Sequence, residues 1–307
     1  TDASAKELLL AHAAFGHWMS DAIKAFIHQH QLEHKVHLIA SHGHTVFHDP
    51  ANHMTFQIGD GAAIATVNRL PVVSDLRNMD VALGGQGAPI VPIGEKLLWN
   101  EYTYFLNIGG ISNITISRNS MHVAFDVCPA NKVLNLLSNE LGKSYDNQGM
   151  LASNGVVNDD LLFELNDLDY YKKSYPKSLA NEFGADVIFG IIQKYSISIE
   201  DKLCTFCEHI AMQINAVCIE VSQLTPDKML ITGGGANNDY LVSRIKNLLT
   251  PKNIDIEIPH PDLIAYKEAL IMALIGVLRW REEINVLHTV TGASRSSIGG
   301  ALWMGQD

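Results

Sequence analysis

Apolar positions along the chain switch between helical and strand spacing. Residues 5–31 place Leu8, Leu9, Ala11, Phe15, Trp18, Met19, Ile23 and Phe26 at helical intervals, so the chain is expected to open on a helix that Gly16 bends or divides. Short apolar runs at 36–40, 54–58 and 71–74 read as strands, with a helix at 62–68 after Gly59-Asp60-Gly61. The segment 83–92, LGGQGAPIVP, has three glycines and two prolines and cannot be regular structure; it reads as a hinge, a ligand loop or an ordinary connection. A strand through Phe105, Leu106 and Ile108 then reaches Gly109-Gly110, reverses into 111–116, and is followed by a third strand ending on Asp126. Beyond it, helices are expected at 132–141 (with Asn131 as N-cap), 203–224 and 268–280, with short helices over 146–168. A strand at 228–232 meets Gly233-Gly234-Gly235, with a helix from about Asp239, and 298–303 is expected to return as a strand to the first domain.

Composition narrows the classes. The 307 residues are 47% hydrophobic and 18% charged, enough for two packed domains or one large one. A net charge of −11 argues against a nucleic-acid or anionic-membrane partner but leaves backbone amides free to hold phosphate. No apolar run approaches the roughly 18 residues of a membrane span, no signal peptide is read at the N-terminus, and the cytoplasm is the expected compartment. Cys128, Cys204, Cys207 and Cys218 are too few for a disulfide scaffold, and the pair at 204 and 207 lacks a second metal-ligand pair.

Several positions carry candidate chemistry. Gly109 and Gly110 allow a backbone to turn tightly beside a ligand, with amides that could hold phosphate oxygens; a plain hairpin is the alternative. Asp126, on the neighbouring strand, stands where a general base belongs. The three glycines from Gly233, between a strand and a helix, suit close approach to a nucleotide, although no dinucleotide-type G-x-G-x-x-G is present. His42, His44 and His48 suit sugar or phosphate contact, a structural loop or a metal cluster. Asp75 and Arg77 are either an exposed salt bridge or substrate contacts. The polar stretch 170–184 reads as solvated surface, or Lys177 beside Ser178 could reach a phosphate or a sugar. Glu268 is either a helix-dipole partner or a substrate contact.

LNIGGISN and LITGGGANN, about 125 residues apart, share one design: apolar strand, clustered glycines, asparagine. Such turns facing each other across a cleft, one on the phosphates and one on the nucleoside, would suit a two-lobed kinase. The pattern resembles the actin, Hsp70 and sugar-kinase superfamily. Within it, SHGHT, TFQIGD, VVSDLR, GGQGAPIVP, LNIGGISNIT, AFDVCPAN, PKSLANEFG, ITGGGANN, EAL and VTGASRSSIGGAL follow the order seen in the anhydro-N-acetylmuramic acid kinases, from about residue 40 to 305.

The resemblance implies an α/β, two-lobed actin/Hsp70-like (ribonuclease H-like) sugar kinase fold with an interdomain cleft. The first lobe would comprise 1–98 plus 286–307 and the second 99–285. It implies ATP and Mg2+ as cofactors, and opening of 1,6-anhydro-N-acetylmuramic acid by water with phosphorylation of O6. Asp126 would be the catalytic base; Asn107, Gly109, Gly110, Asn113, Gly233, Gly234, Gly235 and Asn237 would bind the nucleotide; His42, Asp75, Arg77, Gln86 and Glu268 would bind the sugar. No protein metal site is expected, and a homodimer stays open.

The chain also departs from the family. A Ser-Gly-Thr-Ser-type phosphate hairpin ahead of the first helix is missing from this sequence, so either some tens of residues lie upstream in the natural protein or the phosphate clamp is incomplete, and weak or absent kinase activity is expected of the chain as written. His44 stands where glutamine is commoner, and Val127-Cys128-Pro129-Ala130 where Thr-Gly-Pro-Gly is usual. A non-catalytic nucleotide-binding protein of the Hsp70 or actin type, and a kinase for another amino sugar, are the alternatives.

Overall fold

Residues 3–118, 121–175, 177–180, 182–219 and 227–305 are described by a computed structural model. The apolar runs form strands β1 (Ile39–Ala40), β2 (His44–Asp49), β3 (Met54–Ile58), β4 (Val72–Ser74), β5 (Tyr104–Ile108), β6 (Ile111–Arg118), β7 (Met121–Pro129), β8 (Asp227–Thr232), β9 (Ile254–Glu257) and β10 (Ala301–Trp303). Two units result: Thr1–Trp99 with Lys267–Asp307, and Asn100–Tyr266.

In the first unit, β4 is the middle of a three-stranded sheet, parallel to β1 and antiparallel to β10. The expected return of the C-terminal strand is therefore present. All of β4 is buried, and Val73 and Leu76 share a core with Ile271, Ile275 and Leu278, spaced to share one face of the helix Pro261–Trp280. That helix also carries Lys267, whose Nζ lies 2.6 Å from Glu95 Oε1 in a buried ion pair. The opening helix, Ala5–Gln29, starts at a Ser4/Glu7 capping box and runs unbroken through Gly16. Gly16 serves close approach instead of a bend: a Cβ there would lie 2.8 Å from the backbone N and O of Asp60. β2 and β3 form a separate hairpin, of which the sequence signalled only β3.

The second unit is built on a five-stranded sheet in the order β7-β6-β5-β8-β9. β5 to β7 form an antiparallel meander, while β5, β8 and β9 run parallel. The core is made by Tyr104, Leu106, Ile114, Ile116 and Phe125 from the sheet with apolar helix faces, such as Leu241, Ile245 and Leu249 of Asp239–Leu249. The helix Ile199–Ile219 adds Leu203, Phe206, Ile210 and Ile214, and all four cysteines are free and buried. The expected extension of this helix to residue 224 falls outside the described residues. Among the described residues, no helix is long and apolar enough to cross a membrane.

Candidate active site

In the second unit, candidate groups gather at the carboxyl ends of two neighbouring parallel strands. β5 and β8 pair with Asn107 opposite Thr232, so Gly109-Gly110 and Gly233-Gly234-Gly235 emerge side by side from one sheet. This corrects the expectation that the two turns face each other from opposite walls. Parallel pairing of two strands brings whatever follows them to the same edge, the usual ligand position of an open α/β sheet.

The turns are packed against each other. A Cβ on Gly233, which has φ +82, would lie 2.7 Å from Asn107 Oδ1, and one on Gly235 would lie 2.2 Å from Ile108 Cγ2. Those glycines thus serve protein packing. Gly234 is exposed, with only Asn131 Nδ2, at 3.5 Å, near its would-be Cβ. Asn131 stands between the turns: its Nδ2 donates to Ile108 O at 3.0 Å. It is the first residue of the helix Asn131–Asn139 and not its N-cap, because Ala130 holds that place without a side-chain bond.

The Gly109-Gly110 turn uses most of its polar groups internally. Gly109 N–H donates to Ile111 O at 3.2 Å; Ala130 N–H donates to Gly110 O at 2.8 Å and Asn131 N–H to Gly109 O at 3.0 Å. The first amides of the following helix therefore close onto the hairpin. Neither glycine has a positive φ. What faces solvent here is Gly110, beside the exposed Gly234 and Asn237 of the other turn.

Asp126 reaches this edge through a register shift. β7 continues past Asp126 to Pro129, three residues further than expected. Ser112 lies opposite Cys128, but Asn113 lies opposite Asp126, leaving Val127 as an extra residue. Regular pairing would place Asp126 against the fully buried Ile114; the bulge puts it beside Asn113 instead. Because Asn113 is opposite Asn107 on β5, Asn107, Asn113 and Asp126 form one polar row across three strands. Adjacent strands lie about 4.8 Å apart, so the row spans about 10 Å.

The segment after residue 176 orients the carboxylate. Leu179 N–H donates to Asp126 Oδ2 at 2.8 Å, Asp126 N–H donates to Lys177 O at 3.1 Å, and Tyr170 Oη–H donates to Asp126 O at 2.6 Å. Partial burial raises the Asp126 pKa above the ordinary aspartate value, opposed by the Leu179 N–H. Lys177 lies 4.7 Å from the Tyr170 ring centroid and donates to Tyr170 O at 3.4 Å, whereas Ser178 is exposed. The sequence marked this stretch only as a polar loop; Leu179, which contributes a backbone amide, gave no side-chain signal.

In the first unit, His42 and Asp75 follow the carboxyl ends of the parallel strands β1 and β4. His42 Nδ1 donates to Gly43 O at 3.1 Å. Asp75 adopts φ +54, which aspartate tolerates better than most residues, and accepts from Ser74 Oγ at 2.7 Å; Ser74 Oγ in turn accepts from Trp303 Nε1 at 3.0 Å. No Asp75–Arg77 ion pair exists among the described residues, so the salt-bridge reading fails. Arg77 is buried and donates through Nε to Gly87 O at 2.8 Å, through Nη1 to Thr45 Oγ1 at 3.0 Å, and through Nη2 to His48. Burial lowers the Arg77 pKa, with Asp80 opposing; it also lowers that of His48, helped by the Arg77 charge. Gln86 is exposed, its N–H donating to Thr291 O at 2.8 Å. Glu268 is exposed and lies two turns inside its helix, which begins at Pro261, so it is no helix-dipole partner. Among the described residues, no three His, Cys, Asp or Glu gather as a metal site, which removes the histidine-cluster reading.

An α/β protein with two glycine turns at one sheet edge and an oriented carboxylate in the adjoining row has the arrangement in which open α/β sheets usually place their ligands. The chain belongs to the anhydro-N-acetylmuramic acid kinase family, which matches residues 4–305. The anhydro-N-acetylmuramic acid kinase of Vibrio parahaemolyticus is 32% identical, over 94% of this chain and 80% of that protein. That of Clostridioides difficile is 34% identical, over 93% and 79%. Among solved structures, component A of the Acidaminococcus fermentans (R)-2-hydroxyglutaryl-CoA dehydratase overlaps with a TM-score of 0.40 at 17% identity, covering 67% of this chain and 68% of that one.

Proposed function

We propose that the protein converts 1,6-anhydro-N-acetylmuramic acid and ATP into N-acetylmuramic acid 6-phosphate and ADP, a reaction of cell-wall sugar reuse. Asp126 accepts a proton from the water that attacks the anomeric carbon. The C1–O6 bridge bond breaks, O6 takes the γ-phosphoryl group, and ADP leaves. Water is a poor nucleophile at neutral pH, and a positioned carboxylate contributes about a hundredfold to ten-thousandfold. Gly110, Gly234 and Asn237, with Asn107 and Asn113 behind them, take the nucleotide side; Gly109, Gly233 and Gly235 shape those turns. His42, Asp75, Arg77, Gln86 and Glu268 take the sugar. Mg2+ accompanies the nucleotide phosphates, consistent with a cation that keeps most of its waters and needs no all-protein cage. Use of ATP fits a cytoplasmic enzyme.

Beyond family membership, one observation carries the reading: the β7 bulge turns Asp126 out of the core onto the row with Asn113 and Asn107. The test is transfer of labelled γ-phosphate to the anhydro sugar. Turnover should require the sugar, and Asp126→Asn should lower kcat by about 10² to 10⁴. Sugar-independent ATP hydrolysis, or an Asp126→Asn variant with unaltered kcat, would refute it.

A further inference from the structure

We infer that Asp80 and Thr291 form a latch that positions the loop bearing Gln86, setting sugar affinity without touching the sugar. The inference rests on the reading above in which Gln86 and Arg77 are sugar contacts. Asp80 is fully buried, a rare state for a carboxylate unless its oxygens are engaged. Its Oδ2 accepts Gly87 N–H at 2.7 Å and its Oδ1 accepts the Thr291 hydroxyl at 2.7 Å. Both bonds are charge-assisted and directional.

The loop is gripped on both sides of Gln86. Gln86 N–H donates to Thr291 O at 2.8 Å, and Ser294 N–H donates to Leu83 O at 3.0 Å. Gly87 receives Arg77 Nε on its carbonyl at 2.8 Å while Asp80 holds its amide. One residue, Gly87, therefore fixes both Gln86 and the guanidinium of Arg77. Thr291 lies 211 residues from Asp80, at the end of the short helix His288–Thr291, so the latch joins sequence-distant parts of the first unit. An apolar pair would fill the same volume more favourably than a buried charge, but would not set the direction of the Gly87 amide.

The test compares Thr291→Val, Thr291→Ser and Gln86→Ala in the full chain, measuring KM for the anhydro sugar, KM for ATP, kcat and the urea midpoint. Thr291→Val should raise the sugar KM about tenfold, the scale of one lost bond to a charged group. The ATP KM should stay unchanged, Thr291→Ser should restore the sugar KM, and Gln86→Ala should raise it too. A Thr291→Val variant that lowers the urea midpoint but leaves the sugar KM in place, while Gln86→Ala shifts it, overturns the latch alone. An unchanged sugar KM in Gln86→Ala overturns the loop as a sugar contact, and the latch with it. Should Thr291→Val not fold, Thr291→Ala decides: it removes the same hydroxyl from Asp80 Oδ1 with a smaller side chain, and a raised sugar KM supports the latch while an unchanged one refutes it.

Discussion

The three consecutive glycines after β8 do different work, and alanine at each separates them. At Gly235 the added methyl would lie 2.2 Å from Ile108 Cγ2 and 2.7 Å from Ile108 Cβ. Carbon atoms pack at about 3.5 to 4.0 Å, so the turn must retreat from β5 by more than an ångström or displace a fully buried isoleucine. Overpacking of that kind destabilises by about 1 to 3 kcal/mol. Gly233 adds positive φ to contacts of 2.7 Å with Asn107 Oδ1 and Ile108 O, so Gly233→Ala should be at least as damaging. At Gly234 the nearest atom is 3.5 Å away and φ is not positive, so Gly234→Ala should change folding stability by less than about 0.5 kcal/mol. Its methyl would instead occupy the exposed corner assigned to the nucleotide and raise the KM for ATP. Urea denaturation and ATP kinetics of the three variants make the assay. A Gly235→Ala protein as stable as the parent, or a Gly234→Ala protein with unaltered ATP affinity, would refute the division of roles.

Asp126 predicts opposite pH slopes for activity and stability. Its folded pKa is raised above the unfolded value of about 3.9, so the unfavourable burial of its charge is absent below that pH and grows as pH rises through the folded pKa. Activity should therefore climb through an acid limb above 3.9 while the Asp126 contribution to stability falls; Asp126→Asn should abolish that stability slope, and an acid limb at or below 3.9 would contradict the assignment. The Glu95–Lys267 pair, with side chains 4% and 7% exposed, should lose about 3 to 5 kcal/mol when Glu95→Ala removes the carboxylate from beside the buried ammonium. Because Glu95 Oε2 has no hydrogen-bond partner among the described residues, Glu95→Leu with Lys267→Met should recover most of that loss; a urea double-mutant cycle showing each single change within 1 kcal/mol would refute it.

The local grammar of the chain was legible where short-range rules govern. The apolar runs marked β3, β4, β5, β6, β8 and the return at β10, because alternation and glycine punctuation act over a few residues. β2 leaves no such mark, because His44, Phe47 and His48 are exposed and, among the described residues, β3 is its one strand neighbour, so no buried face imprints a pattern on it. The likeness of the two glycine turns was visible; their adjacency was not, since pairing of β5 with β8 joins residues more than a hundred positions apart and leaves no local mark. Asp126 was readable as a carboxylate near the turn, but its orientation depends on one extra residue in a ladder. An aspartate in DVA looks alike in sequence whether solvated or buried, so Asp80 carries no local sign of its burial, and Asn131 reads as a cap because asparagine before a helix most often is one.

The division of the chain also imposes an order of synthesis. Everything needed for the unit Asn100–Tyr266 is translated before the helix core at Ile271, Ile275 and Leu278, and before strand β10. At about 5 to 20 residues per second, the sheet edge of β4 waits several seconds for its C-terminal neighbour after that unit has been translated. During that interval the early segment holds two of the three strands of its sheet, with one side of β4 still open.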